Sequence, residues 1–261
     1  MSLLALASVF FYLLATGLTV RWCIKNDTTS GKVLFLPASI AMFIHVLTLM
    51  FSVQQGDPIQ NLSVLNIASA ITLLINVLLT SISHRQNSWV LLPITYSCAI
   101  LVILFNSMLP HHYLTDLADR PGLVVHIVLA LLAYSLMSIA SLFALLQLYL
   151  NHQLKLKKKV QLNNMPPLLR IESVLIRLLQ SGLLLLTLSI LSGFLFLENL
   201  FAPNNIDKAG VSIIAWVLYS ILLWGHYRNG WRGQRLVTLT LLGNVLLAVA
   251  YFGSRLILSY F

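Results

Sequence analysis

Eight apolar runs, most of them about twenty residues long, divide this chain, and the longest linker between them is also about twenty residues. At about 1.5 Å per residue, a helix of that length crosses about 30 Å of hydrocarbon, so each run matches a bilayer and not the interior of a soluble domain. The runs are continuous and leucine-rich, whereas strands of a membrane barrel alternate lipid-facing and lumen-facing residues over about ten positions. The expected fold is therefore all-α, a polytopic membrane bundle of about eight transmembrane helices in a single transmembrane domain, 1–261. Composition agrees: 59% of the residues are hydrophobic and 9% charged, where a soluble domain carries about a quarter charged. No linker has room for a separate soluble domain.

The runs cover roughly 3–20, 33–53, 62–82, 89–109, 122–150, 174–197, 211–226 and 236–258. The first lacks a basic segment before it and carries Arg21 beyond it, so it is expected to stay as a helix and not to be cleaved. Arg21, Lys25, Lys32, Arg85, Lys155, Lys157, Lys158, Lys159, Arg170, Arg228, Arg232 and Arg235 all fall in alternate linkers. The other linkers hold Arg120 and Lys208 alone among the basic residues. Because Lys and Arg accumulate on the cytoplasmic side, this bias puts both termini outside. It also accounts for the net charge of +9 without a nucleic-acid partner. The basic 155–170 linker lies where anionic lipid headgroups attract it, and Met165-Pro166-Pro167 should interrupt the helix there.

Several chemistries lack their motifs. There is no Walker A, HExxH or GxSxG pattern, no cluster of membrane carboxylates, and no inverted pair of Gly/Pro-broken spans. Cys23 and Cys98 form neither a CxxC pair nor a CxxCH haem-attachment site and read as packing thiols. No enzymatic activity is expected.

The informative residues are ionisable groups inside spans, which cost free energy in lipid and call for a reason. His45 lies about 12 Å and His126 about 8 Å from the external ends of their spans, and Arg255 belongs to the same level. Two imidazoles facing a cavity can ligate a haem iron, with an arginine pairing a propionate. Alternatively, each histidine ties its helix to a neighbour by a hydrogen bond and Arg255 snorkels to the interface. His226 sits near the cytoplasmic end of its span, level with Arg177, with Trp224, Tyr227 and Trp231 as an interfacial belt.

The segments QNLSVLNIAS, HIVLALLAYS, MPPLLRIE, NIDKAGVSIIAWVLYSILLWGHYRNGWRGQR and LLAVAYFGSRL resemble the YpjD-like inner-membrane proteins of the cytochrome c assembly superfamily, which includes CcsA, CcmC, CcmF and HemX. The resemblance covers nearly the whole chain. It implies that His126, followed by Tyr134 and Ser135, matches an external haem ligand. It also implies that His45, followed by Asn61-Leu62-Ser63, and His226 match membrane haem ligands. The resemblance pairs His45 with His226, and span depth pairs His45 with His126; both pairings stand open. The tryptophan-rich WWD motif that presents haem in CcsA-like proteins is missing, its place taken by ENLFAPNNIDKAG.

The resemblance and the placement of the histidines together imply a bacterial inner-membrane protein binding b-type, non-covalent haem at His45, His126, His226 and Arg255. It would act in haem handling or cytochrome c assembly, among membrane lipids and cytochrome c maturation components or another membrane protein. The alternative is a haem-free accessory or regulatory subunit that docks partners through its basic cytoplasmic loops.

Overall fold

In a computed structural model the described residues are 2–25, 31–54, 59–86, 89–109, 114–116, 120–156, 167–196 and 203–253. Among them, eight helices are long and apolar enough to cross a membrane. A lipid environment offers no partner to an unpaired N–H or C=O, so an apolar run satisfies its backbone within itself as helix.

The helices form two compact units. The first contains α1 (Leu3–Lys25), α2 (Gly31–Val53), α3 (Val64–Gln86) and α4 (Leu92–Met108), the last preceded by a 3-10 turn, Trp89–Leu91. Here α1 packs on α2 and α4, and α3 packs on the same two helices, which closes a four-membered ring. The second contains α5 (Pro121–Lys155), α6 (Leu168–Phe196), α7 (Pro203–Asn229) and α8 (Gln234–Ala248), continued by a π turn, Val249–Gly253. It repeats the ring, with α5 against α6 and α8, and α7 against α6 and α8. Short connections between consecutive helices produce antiparallel neighbours of this kind.

Proline sets several of the starts. Pro93 lies in the first turn of α4, Pro121 begins α5, Pro167 immediately precedes α6, and Pro203 begins α7. The first amides of a helix have no partner in the helix, so a residue without an amide hydrogen loses nothing there. This explains why α7 starts eight residues before the apolar run that the sequence defines at 211: the polar stretch after Pro203 is helix, not loop. Similarly, α6 starts directly after Pro167, and its carbonyl accepts from the amides of Arg170 and Ile171. Residues 157–166, which include most of the basic linker, lie outside the described residues.

One element has no forerunner in the sequence pattern. Ile59–Asn61 (β1) and Leu114–Asp116 (β2) pair antiparallel, with Gln60 opposite Thr115. Three residues per strand are too few for the alternation that marks a strand. The outward faces of the helices are apolar, with Phe43, Leu184 and Leu195 largely exposed, as lipid contact requires. Cys23 is buried, Cys98 is exposed, and both are free.

Candidate haem-ligand histidines

In the first unit, His45 is fully buried, and both ring nitrogens are engaged. Nδ1 meets the Tyr12 hydroxyl of α1 at 3.2 Å, and Nε2 meets the Ser69 hydroxyl of α3 at 2.8 Å. The start of α3 places Ser69. The Ser63 hydroxyl accepts from the Asn66 amide at 3.2 Å, an N-cap, while Asn61 Oδ1 accepts from the Ser63 amide at 3.2 Å. The Asn66 side chain then donates to the backbone carbonyls of Asn61 at 2.8 Å and Ser52 at 3.2 Å, and accepts from Asn106 Nδ2 at 3.0 Å. The Asn61-Leu62-Ser63 segment is thus the cap and anchor of α3, and the anchored helix presents Ser69 to His45. His45 ties three helices together, which is the structural role a membrane histidine can fill.

The second unit treats its histidines differently. His126 on α5 is half-buried, and its Nδ1 lies 2.9 Å from the Ser189 backbone carbonyl of α6 and 3.3 Å from the Ser192 hydroxyl. A carbonyl only accepts, so Nδ1 carries the proton and Nε2 holds the lone pair. His226 on α7 is also half-buried, with Nδ1 2.9 Å from the Trp231 carbonyl, which fixes the same tautomer. Neither Nε2 has a hydrogen-bond partner among the described residues. An Nδ1–H held by a carbonyl with a free Nε2 is how a protein prepares an imidazole to bind a metal.

The turn after α7 builds the His226 arrangement. Gly230 adopts φ +66°, the left-handed region glycine favours, and its amide donates to the His226 carbonyl at 3.1 Å, closing the helix. The chain doubles back, the Trp231 amide donates to the Gly225 carbonyl at 3.2 Å, and the Trp231 ring covers Gly225. A Cβ at Gly225 would collide with that ring. The Trp231 carbonyl therefore arrives at His226 because position 225 has no side chain.

Helix α6 serves as a ruler for the second unit. Gln180 donates to the Tyr227 hydroxyl, Trp216 Nε1 donates to Thr187 at 2.8 Å, and Ser189 and Ser192 meet His126. From Gln180 to the two serines is about 14 to 18 Å along the helix. His226 and His126 thus lie at opposite depths and do not share one iron. Arg177, level with His226, turns back to the Ser173 carbonyl on its own helix at 3.2 Å and stays exposed. Tyr134 packs on Tyr251 and Phe252, and Ser135 donates to the Leu131 carbonyl at 2.7 Å, so neither meets His126. Trp224 and Tyr227 are exposed, as interfacial aromatics would be. Arg255 lies outside the described residues.

Among the described residues no group of three or more His, Cys, Asp or Glu is placed to hold a metal ion. Haem needs no such cluster, since its iron takes protein ligands singly from either face. The donor set at His126 and His226 fits that requirement; His45 fits it only if Ser69 releases Nε2.

The family model described as cytochrome c assembly protein matches residues 33–261. The chain belongs to the cytochrome c assembly protein family. It is 39% identical over 258 residues to the protein called "Inner membrane protein YpjD" of Escherichia coli strain K12, covering 98% of both chains. The protein of the same name from Escherichia coli O157:H7 matches to the same extent. No solved structure matches the chain. The family membership agrees with the resemblance carried by the sequence segments and relates the chain to cytochrome c biogenesis.

The partners that prepare these rings, namely Tyr12, Ser69, Ser189, Ser192 and the Trp231 carbonyl, do not stand out in the sequence. Hydroxyls inside apolar runs are the available signal for three of them, Tyr12, Ser69 and Ser192. The Ser189 carbonyl has no side-chain signal, and the Trp231 carbonyl has none beyond the Gly225, Gly230 and Gly233 spacing of the turn.

Proposed function

We propose that this protein is a haem-binding, multi-pass protein of a bacterial inner membrane, acting in haem handling or cytochrome c assembly and performing no bond chemistry of its own. The observation that supports this reading is the matched preparation of His126 and His226, each with Nδ1–H given to a backbone carbonyl and Nε2 without a hydrogen-bond partner among the described residues. Haem supplies an iron that accepts an imidazole nitrogen on either face. His126 and His226 would each offer one, from opposite depths of the second unit, with His45 and Arg255 as the further binding residues implied by the family. Family membership supports the biogenesis setting. The name of the Escherichia coli relative supports the inner membrane. The distribution of Lys and Arg supports external termini.

Absorption spectroscopy of protein purified from haem-replete cells tests the proposal. A Soret band that disappears when His45, His126 and His226 are all replaced by alanine is expected. No band, or a band unchanged in the triple variant, overturns it.

A second reading draws on exposed Arg228, Arg232 and Arg235: a haem-free accessory subunit that docks partners through its basic cytoplasmic segments. Crosslinking in cells separates the two, since this reading requires a partner captured at those arginines and no stoichiometric haem.

A further inference from the structure

Five arginines, Arg170, Arg177, Arg228, Arg232 and Arg235, stand exposed at the end of the second unit where α6 begins and α7 ends. The only carboxylate there among the described residues is Glu172, and Arg232 holds it. Most of the positive charge at this end is therefore left to a partner outside the described chain. Arg177 and Arg228 are set apart from the other three by their place. The Gln180 side chain of α6 bonds the Tyr227 hydroxyl of α7 and joins the two helices at their outer surface. Arg177 lies one turn before Gln180, and Arg228 directly follows Tyr227, so one arginine from each helix flanks the junction. Beyond the junction the same two faces turn apolar. Leu184 and Leu191 continue the exposed side of α6, and Ile221 and Ile214 continue that of α7 below Trp224.

We propose that this face of α6 and α7 binds an anionic phospholipid. Arg177 and Arg228 take the phosphate beside the Gln180–Tyr227 junction, and the acyl chains lie along Leu184 and Ile221.

Guanidinium and indole groups donate hydrogen bonds and never accept them. Arg177 gives Nε to the Ser173 carbonyl at 3.2 Å and Nη2 to the Ser173 hydroxyl at 3.5 Å. This turns the guanidinium away from the apolar stripe and leaves Nη1 without a partner among the described residues. Arg228 and the Trp224 indole also have no partner among them. A site made only of donors fits an acceptor-only group, and the arginine fork matches phosphate. The stripes below it fit hydrocarbon. A phospholipid is both, and the exposed Trp224 and Tyr227 mark the depth where headgroup meets chain. Charge then selects the headgroup. A zwitterionic lipid brings an ammonium among arginines whose one carboxylate is already engaged, whereas an anionic lipid brings none.

Native mass spectrometry of the full-length, haem-free protein tests the site, with dioleoyl phosphatidylglycerol titrated against dioleoyl phosphatidylcholine. Preferential binding of one phosphatidylglycerol is expected. A basic residue near an anionic lipid contributes about fivefold in binding, so Arg177→Gln and Arg228→Gln should each weaken it about fivefold, and the double variant about 25-fold. Arg235→Gln removes an exposed arginine on α8 at the same end and should leave the preference unchanged. All three side chains are exposed, so glutamine removes charge without opening the core, and matching thermal unfolding certifies the fold. Equal binding of the two lipids overturns the proposal. Equal weakening in all three single variants also overturns it, by reducing the site to diffuse surface charge. Displacement of the lipid by an equal concentration of inorganic phosphate, or of glycerophosphoglycerol without chains, makes this an anion site and removes the lipid. A haem titration supplies the last arm: haem affinity lost in the double variant with lipid binding intact would give the two arginines to haem propionates instead.

Discussion

The two helical units are built on the same ring of neighbours yet treat histidine in opposite ways. In the first, His45 has no exposed surface and hydroxyls on both nitrogens. In the second, His126 and His226 are half-buried, held on one nitrogen by a backbone carbonyl and without a partner on the other among the described residues. A hydroxyl gives or takes a proton, so it leaves the tautomer to be decided elsewhere; a carbonyl decides it at once. Similar placement of histidines in apolar runs therefore conceals two different devices. One closes a bundle, and the other offers a nitrogen outward.

The largest expected effect breaks the comparison on stability. His45→Ala empties a fully packed position and strips the Tyr12 and Ser69 hydroxyls of their shared partner. A loss on the order of 2–5 kcal/mol is expected, as for other large-to-alanine changes in packed interiors. His126→Ala removes one interhelical bond at a half-buried position, for which about 0.6 kcal/mol is typical in membrane bundles. Denaturant unfolding in mixed micelles measures both. Equal losses would mean that His45 is not the keystone of its bundle.

A smaller effect sharpens the comparison within the second unit. Gly225→Leu drives the Trp231 ring away and takes with it the carbonyl that orients His226. Overpacking of this kind costs about 1–3 kcal/mol. Haem affinity is expected to fall about tenfold or more, as when the partner of a liganding histidine is lost. Gly17→Leu is the control, because nothing lies within 4 Å of the added carbon. If haem titrations of the two variants coincide, the turn does not prepare His226.

How much of the fold and the site is legible in the sequence depends on the range of the interaction. The eight helices follow from hydrophobicity over about twenty residues, a signal that needs no tertiary knowledge. The early start of α7 is hidden because 203–210 is polar, and its helicity reports Pro203 and continuity with the span below. The β1–β2 pair joins residues more than fifty positions apart through three-residue strands, too little pattern to read. At the site, the histidines stand out because charge in lipid is rare. Their partners do not, because serine and tyrosine are ordinary in such runs and a backbone carbonyl carries no side-chain signature. Depth counting places His126 and His226 in opposite halves, and the α6 contacts agree. The role of Asn61 and Ser63 is structural in the described contacts: the segment singled out beside His45 caps α3, the helix that carries Ser69 to His45.

The smallest expected effect asks what else holds the turn after α7. Arg232 follows Trp231, and its Nε lies 3.2 Å from Glu172 Oε1 of α6. The Arg232 side chain is 68% exposed and that of Glu172 15%, so water reaches the pair from the arginine side and screens it. Exposed pairs of this kind contribute about 0.2–1 kcal/mol, and less as salt rises. Glu172→Gln keeps the shape of the side chain and the possibility of its long contact with Gln147 Nε2, at 3.4 Å, while removing the charge. Unfolding at low and high salt should therefore show a loss below about 1 kcal/mol that fades as salt is added. Haem titration of the same variant should change far less than in Gly225→Leu, because the Trp231 ring still packs on Gly225 and keeps its carbonyl over His226. Comparable weakening in the two variants would transfer the positioning of His226 from the fit of a tryptophan on a glycine to a charge pair at the surface. The second unit's histidine would then be as dependent on side chains as the first unit's.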